Sequence, residues 1–247
     1  MGKLQTLSRG LRYMAAHPLS TLRWAASVSG ARPKAAEVEA HTDWHELVKP
    51  HRLPFEQFLL QYGLETATPP RLMDTSPQVQ SLSGFELYIL ATLLRCLQAR
   101  SVVEIGTYKG RTTYNLAANL ADGGCIHTLN YVDPAAKREF VVGEMYRRTP
   151  LESAVKTILA NSMEFDFSPW HRSVDLMFID GNHSLAYVRK DSENAFRCVR
   201  PGGIIAWHDV DPTHPESTAA ALGACQQQGV PGWLIEGTQL LLAVQPD

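Results

Sequence analysis

No stretch of this 247-residue sequence approaches the roughly 18 consecutive apolar residues that a membrane-crossing helix needs. Cysteine is scarce as well. Cys96, Cys125, Cys198 and Cys225 are scattered, with no C-x-x-C pair, which excludes a zinc-cysteine ribbon or a disulfide-stapled scaffold. Such usage suits a reduced, cytoplasmic protein. The G-x-G-x-x-G signature that seats a dinucleotide pyrophosphate is missing, and no repeat or low-complexity tract occurs. Residues 1–36 lack any acid yet hold Lys3, Arg9, Arg12, Arg23, Arg32 and Lys34, a local charge of +6. The net charge is −2, so the remainder carries −8, and an acidic body argues against a nucleic-acid partner. Hydrophobic residues make up 45% and charged ones 19%, as in an ordinary globular chain able to bury a sizeable core.

The chain divides at about residue 80. Residues 1–80 are broken by Pro18, Pro33, Pro50, Pro54, Pro69 and Pro70, and contain helix-compatible stretches but no strand candidate. Phe55, Phe58, Leu59 and Tyr62 form a short helical stripe within it. This helical extension is expected to serve as an acceptor pocket or lid. Residues 81–247 alternate between helix and strand. Helices are expected over 85–97, 111–121, 135–147, 185–199 and 215–228. Strands are expected at Ser101–Ile105, Cys125–Asn130, Val155–Ala160, Val174–Ile179 and Ile204–Trp207, with a closing hairpin over Trp233–Val244 turning near Gly237. Alternation of buried strands with helices predicts an α/β fold: a Rossmann-like, doubly wound, mostly parallel seven-stranded sheet with a C-terminal antiparallel hairpin.

Ligands of such sheets lie beyond the carboxyl ends of the strands. The residues at those ends are polar and acidic: Glu104-Ile-Gly106, Asn130, Asn161-Ser162, Asp180-Gly-Asn-His183 and His208-Asp209. Five polar strand ends make one crevice, where a single one would mean little. Glu104 ends a buried strand, so its carboxylate needs a partner, either a ligand ammonium or a backbone amide. Each histidine alone would more often be a satisfied structural residue. Two histidines and two aspartates at adjoining strand ends shift the balance toward chemistry.

Three segments stand in order: Glu104-Ile-Gly-Thr-Tyr-Lys-Gly110, Phe178-Ile-Asp-Gly-Asn-His-Ser184 and Arg200-Pro-Gly-Gly-Ile-Ile-Ala-Trp-His-Asp209. Together they resemble the class I S-adenosylmethionine-dependent methyltransferases, closest to a small bacterial O-methyltransferase subgroup with the FIDGNHS motif. The likeness runs over about residues 83–245. It implies that Glu104, Gly106 and Thr107 hold the amino-acid end of the cofactor, with Gly110 opening the next helix. Asn130 falls where the family usually has an acid for the ribose diol, and Asp133 is placed to help it. Asn161 and Ser162 fall near the adenine, and Asp180 borders the cofactor. In metal-dependent relatives of the catechol O-methyltransferase kind, Asp180, His208 and Asp209 would be the ligands of a divalent ion such as Mg or Mn. His183 takes the base position, where catechol enzymes have lysine. Asp180, His183 and His208 are thus the implied catalytic set.

The implied reaction is methyl transfer to an oxygen of a small molecule or glycan. A phenol, with a pKa of about 10, needs little help from an imidazole, whereas an aliphatic hydroxyl needs much more. A divalent ion would supply that help, and two carboxylates with an imidazole suit Mn, Fe or Zn as well as Mg. Without an ion, His183 or His208 could still act as a base near neutral pH. Two rival readings stand beside this one: a nicotinamide-dependent oxidoreductase on the same kind of sheet, and a non-catalytic cofactor-binding subunit. The basic N-terminus either packs as an arm over the site, the preferred reading, or touches anionic lipid at about 1 kcal/mol per basic residue. Trp170 and Trp207 flank strand ends and read as core packing or as stacking surfaces. The apolar helix over 85–97 suits either burial against the sheet or a homodimer face.

Overall fold

The structure is a computed structural model that describes residues 48–76, 81–132 and 140–246. Its centre is an eight-stranded sheet in the order β1-β7-β8-β6-β5-β2-β3-β4. The strands are β1 (Arg52–Leu53), β2 (Ser101–Ile105), β3 (Cys125–Asn130), β4 (Val155–Leu159), β5 (Val174–Ile179), β6 (Val199–Trp207), β7 (Trp233–Ile235) and β8 (Leu241–Val244). β8 alone runs against the rest, pairing antiparallel with both β6 and β7. The strand order reverses between β2 and β5, which are neighbours in parallel register. That reversal leaves a crevice at their carboxyl ends.

Strand alternation divides the core in two. Val102, Leu176, Phe178, Ile204 and Ala206 face one side, with α1 (Phe55–Gln61), α2 (Gly84–Leu97) and α3 (Arg111–Ala117) packed over them. Val103, Ile105, Met177, Ile179, Ile205 and Trp207 face the other, covered by α4 (Leu185–Cys198) and α5 (Pro215–Gln227). Period-2 alternation continued past the last strand residues therefore aims Asp180 and His208 at the α2 side.

The sheet has eight strands where seven were expected. The extra one, Arg52–Leu53, pairs parallel with β7 and lies in the stretch read as strandless. Two residues between Pro50 and Pro54 are too short to show alternation. α1 comes directly after, and its Phe55 and Phe58 are buried in the same core as α2. The helix expected over 135–147 is not found in its described part, because residues 140–150 form successive turns. Gly143 has φ +72 there, and the ring of Tyr146 folds back over it. The helix from Arg111 ends at Ala117 rather than near 121. β6 begins at Val199, so Pro201-Gly202-Gly203 lies within the strand, beside a register shift against β5.

α3 and the turn that follows it also carry a clamp. Asn119 accepts from the Arg71 N–H (2.8 Å) and donates back to the Arg71 carbonyl (2.7 Å). One turn earlier Asn115 accepts from the Met73 N–H (2.7 Å) and donates to the Asp74 carbonyl (3.0 Å). Arg111, a further turn back, donates to Ser81 and to the Leu82 carbonyl. Side chains spaced four apart thus lie on one helix face and hold the preceding chain along it.

Candidate active site

Two strand ends meet at the switch point. Gly106, just after β2, has φ +109, and a Cβ on it would lie 2.0 Å from the Asp180 carbonyl oxygen. Only glycine can stand there, because both the backbone angle and the close approach exclude a side chain. Asp180 comes directly after β5, and its own N–H donates to the Ile105 carbonyl (2.8 Å).

One strand over, Ile179 pairs with Trp207, so Asp180 and His208 are neighbours across the sheet. His208 Nδ1 lies 3.2 Å from Asp180 Oδ1 and 3.4 Å from Asp209 Oδ2. Its Nε2 points the other way, 3.6 Å from Glu86 Oε1. Burial pulls the His208 pKa down, but bonds to Asp180, Asp209 and Glu86 outweigh it and push the value up to about 12. Burial raises Asp180 against the pull of His208, while Asp209 is lowered by His208, His183 and His214 despite its burial. Asp180, His208 and Asp209 offer ligand atoms that all lie within 4.8 Å of one another. An imidazole nitrogen between two carboxylate oxygens is a place for a cation, either a proton or a divalent ion.

Asp209 has φ +55, a left-handed angle uncommon for any residue but glycine. The turn lets one carboxylate serve three imidazoles. Its Oδ2 is 3.1 Å from His183 Nδ1, and its Oδ1 is 3.8 Å from His214 Nδ1. The His183 and His214 rings are 5.0 Å apart, and His183 is 40% exposed, open to an acceptor. His214 also bonds Asp211, and its pKa is raised chiefly by that bond.

Residues 103–210 match the family described as a methyltransferase domain. Over that stretch the chain is similar to methyltransferase domains. Its fold is similar to that of several solved methyltransferases. The O-methyltransferase TomG from Streptomyces achromogenes, involved in tomaymycin synthesis and solved with SAM, superposes with a TM-score of 0.54 at 18% identity, over 68% of this chain and 82% of TomG. An O-methyltransferase from Bacillus cereus in complex with SAH gives 0.52 at 18% identity, over 81% and 96%. The SAH-bound Podospora anserina methyltransferase PaMTH1 gives 0.53 at 15%, over 88% and 100%. No curated protein matches the chain.

Within the matched stretch the expected cofactor residues take distinct stations. Glu104 is wholly buried on the α2 side, where Oε2 accepts from Thr113 and Thr128 (both 2.5 Å) and Oε1 has no hydrogen-bond partner. Burial raises its pKa to about 7, against the pull of those hydroxyls. Thr107 bonds Thr128 (2.6 Å). Gly110 has φ +85 and is packed against the Tyr146 ring, so its glycine is required by packing. Asn130 accepts from the Tyr108 N–H (2.9 Å) and donates to the Tyr131 carbonyl (2.8 Å), which ties the loop after β2 to the end of β3. Asn161 accepts from the Met163 N–H (3.1 Å), and Ser162 is buried. Asp133 lies outside the described residues, as does the basic segment 1–36. Trp207 is core, donating to Ser192 (2.9 Å), and Trp170 packs among Phe165, Phe167 and His127.

Sequence reading missed Glu86, Asp211, His214 and Gln239. Ser83-Gly-Phe-Glu86 does carry a capping-box pattern, and the box is formed. That pattern places Glu86 in the first turn of α2 and is silent about His208. Gln239 donates its N–H to Glu86 (2.8 Å), accepts from the Val210 N–H (3.1 Å), and hydrogen-bonds Asp211 through its side chain. Gln239 thereby ties Val210 and Asp211 to the first turn of α2.

Proposed function

We propose that this protein transfers a methyl group from S-adenosylmethionine to a hydroxyl oxygen of a small molecule or glycan. The observation that carries this reading is the juncture of Gly106 with Asp180 beside His208 and Asp209, at the switch point of a methyltransferase domain. The amino-acid end of the cofactor is assigned to the loop of Gly106 and Thr107. A buried carboxylate oxygen without a donor needs one. The cofactor's ammonium, directly or through a water, would supply it to Glu104 Oε1. Asn161 and Ser162 are assigned to the adenine end. Both ends of the Asn130 amide are engaged by backbone, so its role is to hold the Tyr108 loop against the ribose rather than to bind both hydroxyls.

The reaction is an in-line displacement. The acceptor oxygen forms a bond to the methyl carbon as the carbon–sulfur bond breaks, and its electron pair stays on sulfur to give S-adenosylhomocysteine. The hydroxyl proton goes to His183. Asp209 beside Nδ1 fixes that ring so that Nε2 faces the acceptor as base, the arrangement of a base oriented by a third group. Asp180, His208 and Asp209 would hold a divalent ion, and their donor set of two carboxylates and one imidazole fits it. When bound, such an ion lowers the pKa of the acceptor hydroxyl and orients it.

The test is transfer of labelled methyl from S-adenosylmethionine to a panel of hydroxyl acceptors. Turnover lost in His183→Ala, and lost on chelation and in Asp209→Ala, is expected. Unchanged turnover in His183→Ala would remove the base, and indifference to both chelation and Asp209→Ala would remove the ion. Among the described residues no helix is long and apolar enough to cross a membrane. The preferred setting is cytoplasmic, with residues 1–80 shaping the acceptor pocket.

A further inference from the structure

We propose that Glu86 is a positioning residue: it holds the hydrogen of His208 on Nε2, so that Nδ1 is the nitrogen presented to the cation between Asp180 and Asp209. This deepens the methyltransferase reading and rests on it for the identity of the cation, while the orientation of the ring can be tested by itself.

Glu86 comes from a different element than the rest of the site. It is the third residue of α2, and its carboxylate is fixed before it reaches the histidine. Oε2 accepts from the Ser83 N–H at 2.7 Å, completing the capping box in which Ser83 Oγ accepts from the Glu86 N–H. Oε1 accepts from the Gln239 N–H at 2.8 Å and stands 3.6 Å from His208 Nε2. The carboxylate is thus anchored through both oxygens, and the free direction of Oε1 is toward the imidazole.

His208 is only 9% exposed, and its Nε2 has no hydrogen-bond partner within normal reach. A bare lone pair on Nε2 would face a carboxylate across 3.6 Å in a buried setting, where repulsion is weakly screened. A hydrogen there turns repulsion into attraction, and a small ring shift closes it to a charge-assisted bond. The other nitrogen has two carboxylates at 3.2 and 3.4 Å. A ring whose far nitrogen donates to a carboxylate has its orientation and tautomer fixed and its ligating nitrogen made more basic. Glu86 therefore acts through His208 without touching acceptor or cofactor.

The experiment compares wild type, Glu86→Gln and Ser83→Ala. Ser83→Ala removes half of the capping box and leaves the Glu86 carboxylate facing His208, so it separates loss of the helix cap from loss of the histidine contact. Free Mn is titrated by electron paramagnetic resonance, S-adenosylhomocysteine binding is measured by calorimetry, and the ring nitrogens of His208 are assigned by nitrogen-15 NMR. The expected result is Mn affinity reduced about tenfold in Glu86→Gln. Ser83→Ala should stay near wild type, and S-adenosylhomocysteine binding should be similar in all three. NMR should show the Nε2–H shifted downfield by its carboxylate partner in the wild type and returned toward the free value in Glu86→Gln. Equal Mn affinity in Glu86→Gln and wild type, or an equal loss in Ser83→Ala, would overturn the inference. Should wild type bind no Mn, the ion falls, and the NMR comparison decides for Glu86: an Nε2–H signal that changes in Glu86→Gln supports the contact and an unchanged one overturns it. Failure of S-adenosylhomocysteine to bind folded wild type would strike the methyltransferase reading and leave the same NMR decision in place.

Discussion

Gly106 and Asp180 touch backbone to backbone, so that the turn after one central strand is shaped by the end of the next. The contact joins the two halves of the sheet where its order reverses, and it fixes the floor of the crevice.

Replacing Gly106 by alanine should therefore do two kinds of damage. The residue's φ of +109 and the 2.0 Å approach to the Asp180 carbonyl together should cost about 2–5 kcal/mol. In a chain of this size that lowers Tm by roughly 5–15 °C. S-adenosylhomocysteine binding should fall at least in step. Gly237→Ala is the control, since its φ is also positive, at +78, but nothing lies within 4 Å of the added carbon. It should cost about 1 kcal/mol and leave binding intact, as a thermal melt and calorimetric titration of each variant would show.

Asp191 gives a pH dependence of stability. It is fully buried on α4, and burial raises its pKa to about 7 against the opposing pull of the Ser162 hydroxyl. The unfolded chain releases this proton near pH 4, the folded one near pH 7. Between those values the folded state binds more protons, so stability falls as pH rises through the window. Asp191→Asn stays neutral throughout, and should melt higher than wild type at pH 8 while matching it near pH 4. Melting curves from pH 4 to 8 would check it.

Asn119 predicts a purely structural loss. Its buried amide bonds both backbone groups of Arg71, and its oxygen also accepts from Arg95 (3.1 Å). Asn119→Ala leaves those groups without their partner, which should cost about 1–3 kcal/mol. Chemical denaturation should show a lower midpoint with no change of cofactor affinity per folded molecule.

The proton on His208 competes with a divalent ion for the same nitrogen. With its pKa pushed up to about 12, the ring is charged across the neutral range in the free protein. Ion binding must then release a proton, so Mn affinity should rise about tenfold per pH unit between pH 6 and 8. Affinity that stays flat over that range would place the ion elsewhere.

Much of the fold was readable from the sequence because buried parallel strands are continuous apolar runs. Leu176 to Ile179 and Ile204 to Trp207 declare themselves that way, Val102, Val103 and Ile105 do so around Glu104, and the polar residues after them mark the crevice. β1 did not show itself because two residues carry no period, and its pairing with β7 spans most of the chain. The turns over 140–150 were hidden because apolar residues at helical spacing also suit a loop that wraps a tyrosine. At the site, Asp180, His208 and Asp209 could be grouped by strand ends alone. Glu86 could not, since its partner is set by how α2 lies over the sheet. The Asn130 amide looked like a ligand group because position says which strand end a residue occupies, and its backbone bonds appear only in three dimensions.

The central claim is tested most directly by calorimetric titration of the protein with S-adenosylhomocysteine, after chelation and again with Mn added. The account predicts one site per chain in both conditions, lost in Gly106→Ala and retained in His183→Ala. No heat in either condition from protein that is demonstrably folded would contradict it.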